Sequence, residues 1–141
     1  SMEPGLHEGQ RLLINKATYF FNEPRRGDII VFSSPTNGEI EYIKRIIALP
    51  GEAVAIEEGK VYIYKDGSSM TLDENSYIED PPRYTLNKEK VPQQSYFVLG
   101  DNRNNSNDSH NNWTVPRQNI IGKAWLSIWP PDKWGFAPNY P

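Results

Sequence analysis

Short segments rich in β-branched and aromatic residues recur along the chain, and residues that favour turns separate them. Seven segments have this composition, which is typical of β-strands. They are residues 11–17, 28–33, 39–49, 53–57, 60–65, 95–99 and 119–129. No segment keeps the helical spacing of apolar residues over three turns, so the pattern predicts a mostly β fold with at most one short helix.

Two stretches interrupt this pattern. From about 66 to 94, polar residues and proline dominate and apolar residues are isolated, which indicates a polar insertion that we interpret as a solvated excursion. From 100 to 112 the chain is rich in Asn, Asp and Ser, whose side chains bond to their own backbone, so a loop is expected there. Residues 1–141 are expected to form a single domain.

Composition narrows the classes of protein. The chain has 141 residues, 15 Lys and Arg against 18 Asp and Glu, a formal net charge of −3, no cysteine and two histidines. Disulfides and zinc–thiolate sites are therefore excluded. The slight acidity, without a basic cluster, argues against a nucleic-acid partner. The longest apolar run is too short to cross a bilayer, and no signal peptide precedes the first predicted strand.

Acid–base chemistry near neutral pH usually relies on histidine, but both histidines are poor candidates. His7 and His110 do not belong to a carboxylate cluster of the kind that holds a metal, so they make a poor case for a metal site. A triad of Ser106, His110 and Asp108 would be crowded into one loop, unlike known triads, and surface polar groups are the simpler interpretation.

Lys44 is a stronger candidate because it lies within an otherwise apolar segment. Alternation places Tyr42, Lys44 and Ile46 on one face, and Arg45 on the other, where its charge would need a carboxylate partner. Burial would lower the pKa of the amine from about 10.4, and a neutral lysine is a competent general base. Alternatively the side chain follows an edge strand with its amine in water, an interpretation that the sequence alone favours.

Four segments, taken together, resemble the type I signal peptidases, membrane-anchored serine–lysine proteases that remove signal peptides from exported proteins. They occur in the family's order, and with their connections they span nearly the whole chain. They are SMEPGL at residues 1–6, RGDIIVF at 26–32, KRIIALPGE at 44–52 and GDNRNNSNDS at 100–109. The resemblance implies a signal-peptidase-like antiparallel β-sheet fold.

The resemblance also implies a role for each matching residue. Ser1 would be the nucleophile and Lys44 the general base, while Ser106 would hydrogen-bond the lysine amine and Asp108 would brace the fourth segment. His110 stands where the family commonly has an arginine that pairs with this aspartate. The brace is therefore expected to be weaker or to depend on pH.

By the same resemblance, the reaction is acyl transfer and needs no cofactor, and cleavage follows small residues at the first and third positions before the cut. Leu6, Tyr42 and Ile43 would line shallow apolar pockets, and an extended substrate would add as a strand beside Lys44. The Ser1 N–H would be one oxyanion donor. The family's second donor, a hydroxyl two residues earlier, is absent from this sequence.

The resemblance implies two partners, the signal peptides of preproteins and a membrane surface. The catalytic domain is expected at the extracytoplasmic face of a bacterial cell membrane, with its anchor absent from this chain. Aromatic side chains favour membrane interfaces, so Trp134 and Phe136 are candidates for the lipid contact.

Two other interpretations remain open. One is a serine–lysine autoprotease of the repressor-cleaving kind, which would normally carry a DNA-binding segment and its own cleavage loop. The other is a non-catalytic β-rich binding domain, in which Lys44 is solvated and Ser1 is a residue left by cloning.

Overall fold

Eleven strands are present in the computed structural model, which describes Met2, residues 11–129 and residues 135–136. For residues 11–13, 125–129 and 135–136 only the backbone is described. The strands are β1 (Arg11–Asn15), β2 (Ile29–Ser33), β3 (Glu41–Ala48), β4 (Ala53–Glu57), β5 (Lys60–Lys65), β6 (Ser68–Thr71), β7 (Leu86–Lys90), β8 (Ser95–Leu99), β9 (Val115–Pro116), β10 (Ile120–Trp129) and β11 (Gly135–Phe136). The prediction of a mostly β protein is confirmed.

Helices are short within the described ranges. α1 covers Thr18–Phe21, and two 3₁₀ turns cover Ser109–Asn111 and Arg117–Asn119. The first predicted strand, expected to reach residue 17, ends at Asn15, because the Asn15 side-chain oxygen accepts hydrogen bonds from the N–H groups of Ala17 and Thr18 at 3.1 Å each. These local hydrogen bonds turn the chain between the strand and the helix.

The strands form two antiparallel sheets in the part of the chain that the structure describes. The larger sheet has seven strands in the order β1-β10-β2-β3-β8-β9, with β11 beside β10. The smaller sheet has four strands in the order β6-β5-β4-β7. β3 and β8 lie inside the larger sheet, and all five residues of β8 are buried, which accounts for the apolar character of both segments.

One buried hydrophobic cluster joins the two sheets, because both contribute side chains to it. The larger sheet supplies Ile47, Ala48, Phe97 and Leu99, and the smaller sheet supplies Val54, Ile56, Val61 and Ile63. A second cluster includes Ile30, Phe32, Ile46 and Val98, from three adjacent strands of the larger sheet. Ile46 and Ile47 of β3 therefore contribute to different cores, as alternation in sequence predicts. Ala48 joins the same cluster as Ile47, because the pairing of β3 with β8 shifts register between Ile46 and Ala48.

The polar segment from 66 to 94 differs from the expected solvated excursion. It contains β6 and β7, which pair with β5 and β4 at the edges of the smaller sheet. Their residues are almost all exposed, so neither strand shows the apolar alternation that marks a strand in sequence. Glu74, Tyr77 and Val91 of the same segment are buried. The extent of the domain, residues 1–141, stays a prediction.

We predict that Gly122→Ala destabilises the protein by about 1–3 kcal/mol, the usual cost of overpacking. A Cβ atom at this position of β10 would lie 2.6 Å from Ile14 Cγ2 and 2.9 Å from the Asn15 carbonyl oxygen. Gly38→Ala is the matched control, since a Cβ there meets nothing within 4 Å. Urea denaturation of both variants measures the effect, and equal midpoints would contradict the prediction.

Candidate active site

Lys44 lies in β3, a strand whose other residues are mostly apolar, and its side chain is buried. The residue is 3% exposed, and its cross-strand partner in β2 is Ile30. Its Nζ donates a hydrogen bond to Ser106 Oγ at 3.0 Å. The alternative in which this amine extends into water is therefore wrong, because the strand places it inside the protein.

Burial lowers the pKa of the Lys44 amine below its ordinary value, because an ammonium loses hydration inside the protein. The negative charges of Asp108 and Asp101 favour the ammonium and oppose this shift in part. The arrangement therefore increases the fraction of neutral amine, the form that can accept a proton.

Asp108 holds the loop that carries Ser106. Its Oδ2 accepts a hydrogen bond from the Gly100 N–H at 2.9 Å, and its Oδ1 accepts one from the His110 N–H at 3.2 Å. The second contact caps the 3₁₀ turn that follows. Because Gly100 and Asp108 delimit the loop, the carboxylate closes it around Ser106.

His110 also contacts Asp108 through its ring, from Nδ1 to Oδ1. The His110 ring also stacks on the Tyr84 ring, with centroids 4.0 Å apart and planes 12° apart. The structure thus brings His110 to the aspartate that the resemblance assigns to it. That this contact depends on pH stays a prediction.

Arg45 points to the opposite face of β3 and makes the carboxylate contact that the sequence led us to expect. Its Nε and one terminal nitrogen donate to the two oxygens of Asp101 at 2.9 and 2.7 Å. The other terminal nitrogen donates to the Gly27 carbonyl at 3.0 Å. Gly27 has a φ of +91°, a conformation that favours glycine, so the carbonyl is presented at a turn.

The two described residues expected to line the substrate pockets directly precede Lys44 in sequence. Tyr42 stacks on Trp113 at 6.1 Å between ring centroids, and its hydroxyl accepts a hydrogen bond from Asn107. Ile43 is half-buried and packs against a cluster that contains Met2. Ser1, Leu6 and Trp134 lie outside the described residues, as does the side chain of Phe136.

Three residues near this site were missed as contributors at the sequence level. Glu74 and Tyr77 come from the polar segment, and Arg103 comes from the Ser106 loop. Arg103 and Glu74 form a buried ion pair at 2.6 Å, and the Tyr77 ring lies on the Arg45 guanidinium. An isolated tyrosine within a polar stretch was the one available signal, because a large apolar ring is seldom left fully in water.

Among the described residues, no group of three or more histidine or carboxylate side chains is arranged to hold a metal ion. No helix in those same ranges is both long and apolar enough to cross a bilayer.

Comparison with known proteins gives matches in both sequence and structure. The family described as signal peptidase, peptidase S26, matches residues 1–129. A signal peptidase I of Leptolyngbya laminosa is 49% identical, over 96% of this chain and 68% of the relative. A probable signal peptidase I-1 of Synechocystis sp. is 44% identical, over 96% of this chain and 70% of the relative.

A solved structure supports the same assignment. The signal peptidase I of Enterococcus faecalis V583 matches with a TM-score of 0.54 and 35% identity, over 72% of this chain and 97% of that chain. The fold and the sequence thus agree on a class of β-rich peptidases. This chain belongs to the signal peptidase family, peptidase S26.

We predict that Lys44 titrates below the ordinary lysine pKa of 10.5 in an NMR titration of ¹³Cε-labelled protein, and that its signal is absent from Lys44→Met. Between its lowered pKa and the ordinary value of 10.5, the unfolded chain binds more protons at this position than the folded chain does. The free energy of unfolding of the wild type, relative to Lys44→Met, should therefore rise with pH across that window. A normal Lys44 titration would contradict both expectations.

Proposed function

We propose that this protein is a serine endopeptidase that removes N-terminal signal peptides from exported preproteins. In the proposal Ser1 is the nucleophile, Lys44 is the general base and Ser106 orients the lysine amine. The observation that carries it is the burial of Lys44, whose Nζ donates to Ser106 Oγ at 3.0 Å in a chain of this family. A buried lysine that retains a hydrogen-bonding partner suits a proton acceptor.

The packing of Met2 supports the assignment of Ser1. Met2, the residue after Ser1 in the chain, is buried in a cluster with Ile29 and Ala124, and Ile43 packs against the same cluster. Ile43 directly precedes Lys44. Consecutive Cα atoms are about 3.8 Å apart, so a nucleophile at Ser1 is compatible with a base at Lys44.

The proposed reaction follows the chemistry of an activated hydroxyl. Neutral Lys44 accepts the Ser1 proton as Oγ attacks the scissile carbonyl, and the resulting ammonium then donates a proton to the leaving amine. The substrate acyl group is left as an ester on Ser1. Water then attacks this ester while Lys44 accepts a proton from the water. Lys44 returns this proton to Ser1 Oγ, and the enzyme is restored.

The proposed substrate lies along β3. In the described part of the chain, Glu41–Lys44 pair with β2, whereas pairing of β3 with β8 begins at Arg45. The backbone of this half of β3 is thus suited to adding an extended peptide as a further strand. Ile43 and Tyr42, with Leu6, would line shallow pockets that admit small residues one and three positions before the cut.

The proposed location is the extracytoplasmic face of a bacterial cell membrane, where signal peptides emerge with exported proteins. Trp134 and Phe136 are the proposed lipid contacts, because aromatic side chains favour the boundary between lipid and water. This part of the proposal rests on the family and on the aromatic composition of residues 125–136.

We predict that the protein, expressed with whatever native sequence precedes Ser1 in its gene, cleaves a signal-peptide substrate containing Ala-X-Ala after the second alanine. Lys44→Ala and Ser1→Ala should each lower kcat/KM by at least about 10³-fold, because the base or the nucleophile is lost. Mass spectrometry of the products in detergent measures both the rate and the cleavage position.

Lys88→Ala is the matched control for this experiment. Lys88 lies in the smaller sheet with its Nζ 4.1 Å from the centroid of the Tyr64 ring, and its removal should change kcat/KM by less than about twofold. Absence of cleavage by the wild type, or full activity of Lys44→Ala, would reject the proposed peptidase mechanism.

We also predict that kcat/KM rises with pH through an ionisation that lies below 10.5, the ordinary pKa of lysine. The sign follows from the role of Lys44, since only the neutral amine accepts the proton and burial lowers its pKa. A pH–rate profile of the cleavage reaction measures this limb. A rate that falls as pH rises through the same range would contradict the role of a lysine base.

A further inference from the structure

Glu74 is a buried carboxylate in the polar segment between β6 and β7, outside the residues assigned to the reaction. It is 6% exposed, whereas its neighbours Asp73 and Asn75 are exposed. The backbone turns here, because the Glu74 carbonyl accepts hydrogen bonds from the N–H groups of Tyr77 and Ile78 at 3.1 Å each. A carboxylate is rarely buried without a partner, so its contacts are informative.

The Glu74 carboxylate binds the guanidinium of Arg103, in the Ser106 loop, through two hydrogen bonds. Its two oxygens accept from the two terminal nitrogens of the guanidinium at 2.6 Å each, and Oε2 also accepts from the Tyr77 hydroxyl at 2.8 Å. Arg103 is itself buried. This paired geometry sets the direction as well as the position of the guanidinium.

Arg103 transmits this constraint to the loop backbone at Gly100. Its Nε donates to the Gly100 carbonyl at 2.9 Å, and the Gly100 N–H donates to Asp108 Oδ2 at 2.9 Å. Both polar groups of Gly100 are therefore engaged. The same loop presents Ser106 Oγ to the Lys44 amine at 3.0 Å.

Tyr77 provides a second contact from the polar segment to the strand that carries Lys44. Its ring lies against the Arg45 guanidinium, 4.1 Å from Arg45 Cζ to the ring centroid. Arg45 binds Asp101, which lies between Gly100 and Arg103 in sequence. One turn of the polar segment thus touches β3 through Tyr77 and the Ser106 loop through Glu74.

We propose that Glu74 is a positioning residue for the reaction, acting through Arg103 and Gly100 to hold the loop that aims Ser106 at Lys44. The inference rests on the proposed function for its kinetic consequence. In the described part of the chain, the Glu74 carboxylate hydrogen-bonds to Arg103 and Tyr77, which are outside the residues assigned to the reaction, so the proposed effect is geometric. The polar segment thereby contributes to the positioning of the residues of the site.

The first test compares Glu74→Gln with Glu79→Gln, an exposed position of the same segment. The Gln side chain has one acceptor oxygen and no charge, so the pair of hydrogen bonds from Arg103 is lost. The kcat of Glu74→Gln should fall by about 10- to 100-fold with KM within about twofold, because the reacting groups are misaligned while the substrate edge is intact. Glu79→Gln should keep the wild-type kcat. Equal kcat for both variants, each shown to be folded by circular dichroism, would overturn the proposal.

A double-mutant cycle with Ser106→Ala distinguishes positioning from a general loss of structure. If Glu74 acts by aiming Ser106, Glu74→Gln should cost less than about threefold in kcat once the Ser106 hydroxyl is absent. A loss that persists in full in the Ser106→Ala background would overturn the proposal, because the effect would then not pass through Ser106.

Tyr77→Phe keeps the test open should Glu74→Gln fail to fold. It removes the hydroxyl that donates to Glu74 and leaves the ring over Arg45, so a smaller fall in kcat, about threefold, is expected. An unchanged kcat of folded Tyr77→Phe, with Glu74→Gln unfolded, would count against the proposal.

NMR titration of Lys44 separates this inference from the peptidase mechanism, since it needs no substrate. In Glu74→Gln the pKa of Lys44 should move upward towards its ordinary value, because a loosened loop admits water to the amine, whereas Glu79→Gln should leave it unchanged. That shift in a protein that cleaves nothing would reject the proposed function and keep the positioning role. The wild-type pKa of Lys44 in folded Glu74→Gln would reject the positioning role.

Discussion

The buried ion pair between Arg45 and Asp101 joins the strand and the loop on which the candidate site is built. Both side chains are removed from solvent, and two hydrogen bonds fix their relative orientation. Lys44 directly precedes the arginine, and Ser106 follows the aspartate by five residues. The pair therefore limits the distance between the two groups of the site. Removing one partner of such a pair typically costs about 3–5 kcal/mol, because a charge is left buried without compensation.

The burial of Lys44 lowers the stability of the fold, and it also favours the neutral amine that the proposed reaction needs. An amine inside a β-sheet is less hydrated than in the unfolded chain, and this favours its neutral form at the expense of folding free energy. The carboxylates of Asp101 and Asp108 lessen the effect without cancelling it. The hydrophobic clusters on both faces of β3 supply the stability that tolerates such a group.

Much of the fold could be predicted, because a buried strand has an apolar composition that is visible in the sequence. Each of the seven predicted segments contains a strand, and the expectation that Arg45 needs a carboxylate is confirmed by Asp101. The edge strands β6 and β7 were missed, since their residues face solvent and lack an apolar period. Glu74 was missed for a related reason, because nothing in its sequence distinguishes a buried carboxylate from the exposed ones around it.

The sequence by itself determined which residues share a face of β3, which residue types could carry the chemistry, and which family the chain resembles. These properties depend on local alternation and on the order of short segments. Only the tertiary structure decided that Lys44 is buried and which groups it and Arg45 meet. Lys44 and Ser106 are 62 positions apart in sequence, and Arg45 and Asp101 are 56 apart. Contacts over such separations depend on how the sheets and loops pack together, and no local pattern encodes them.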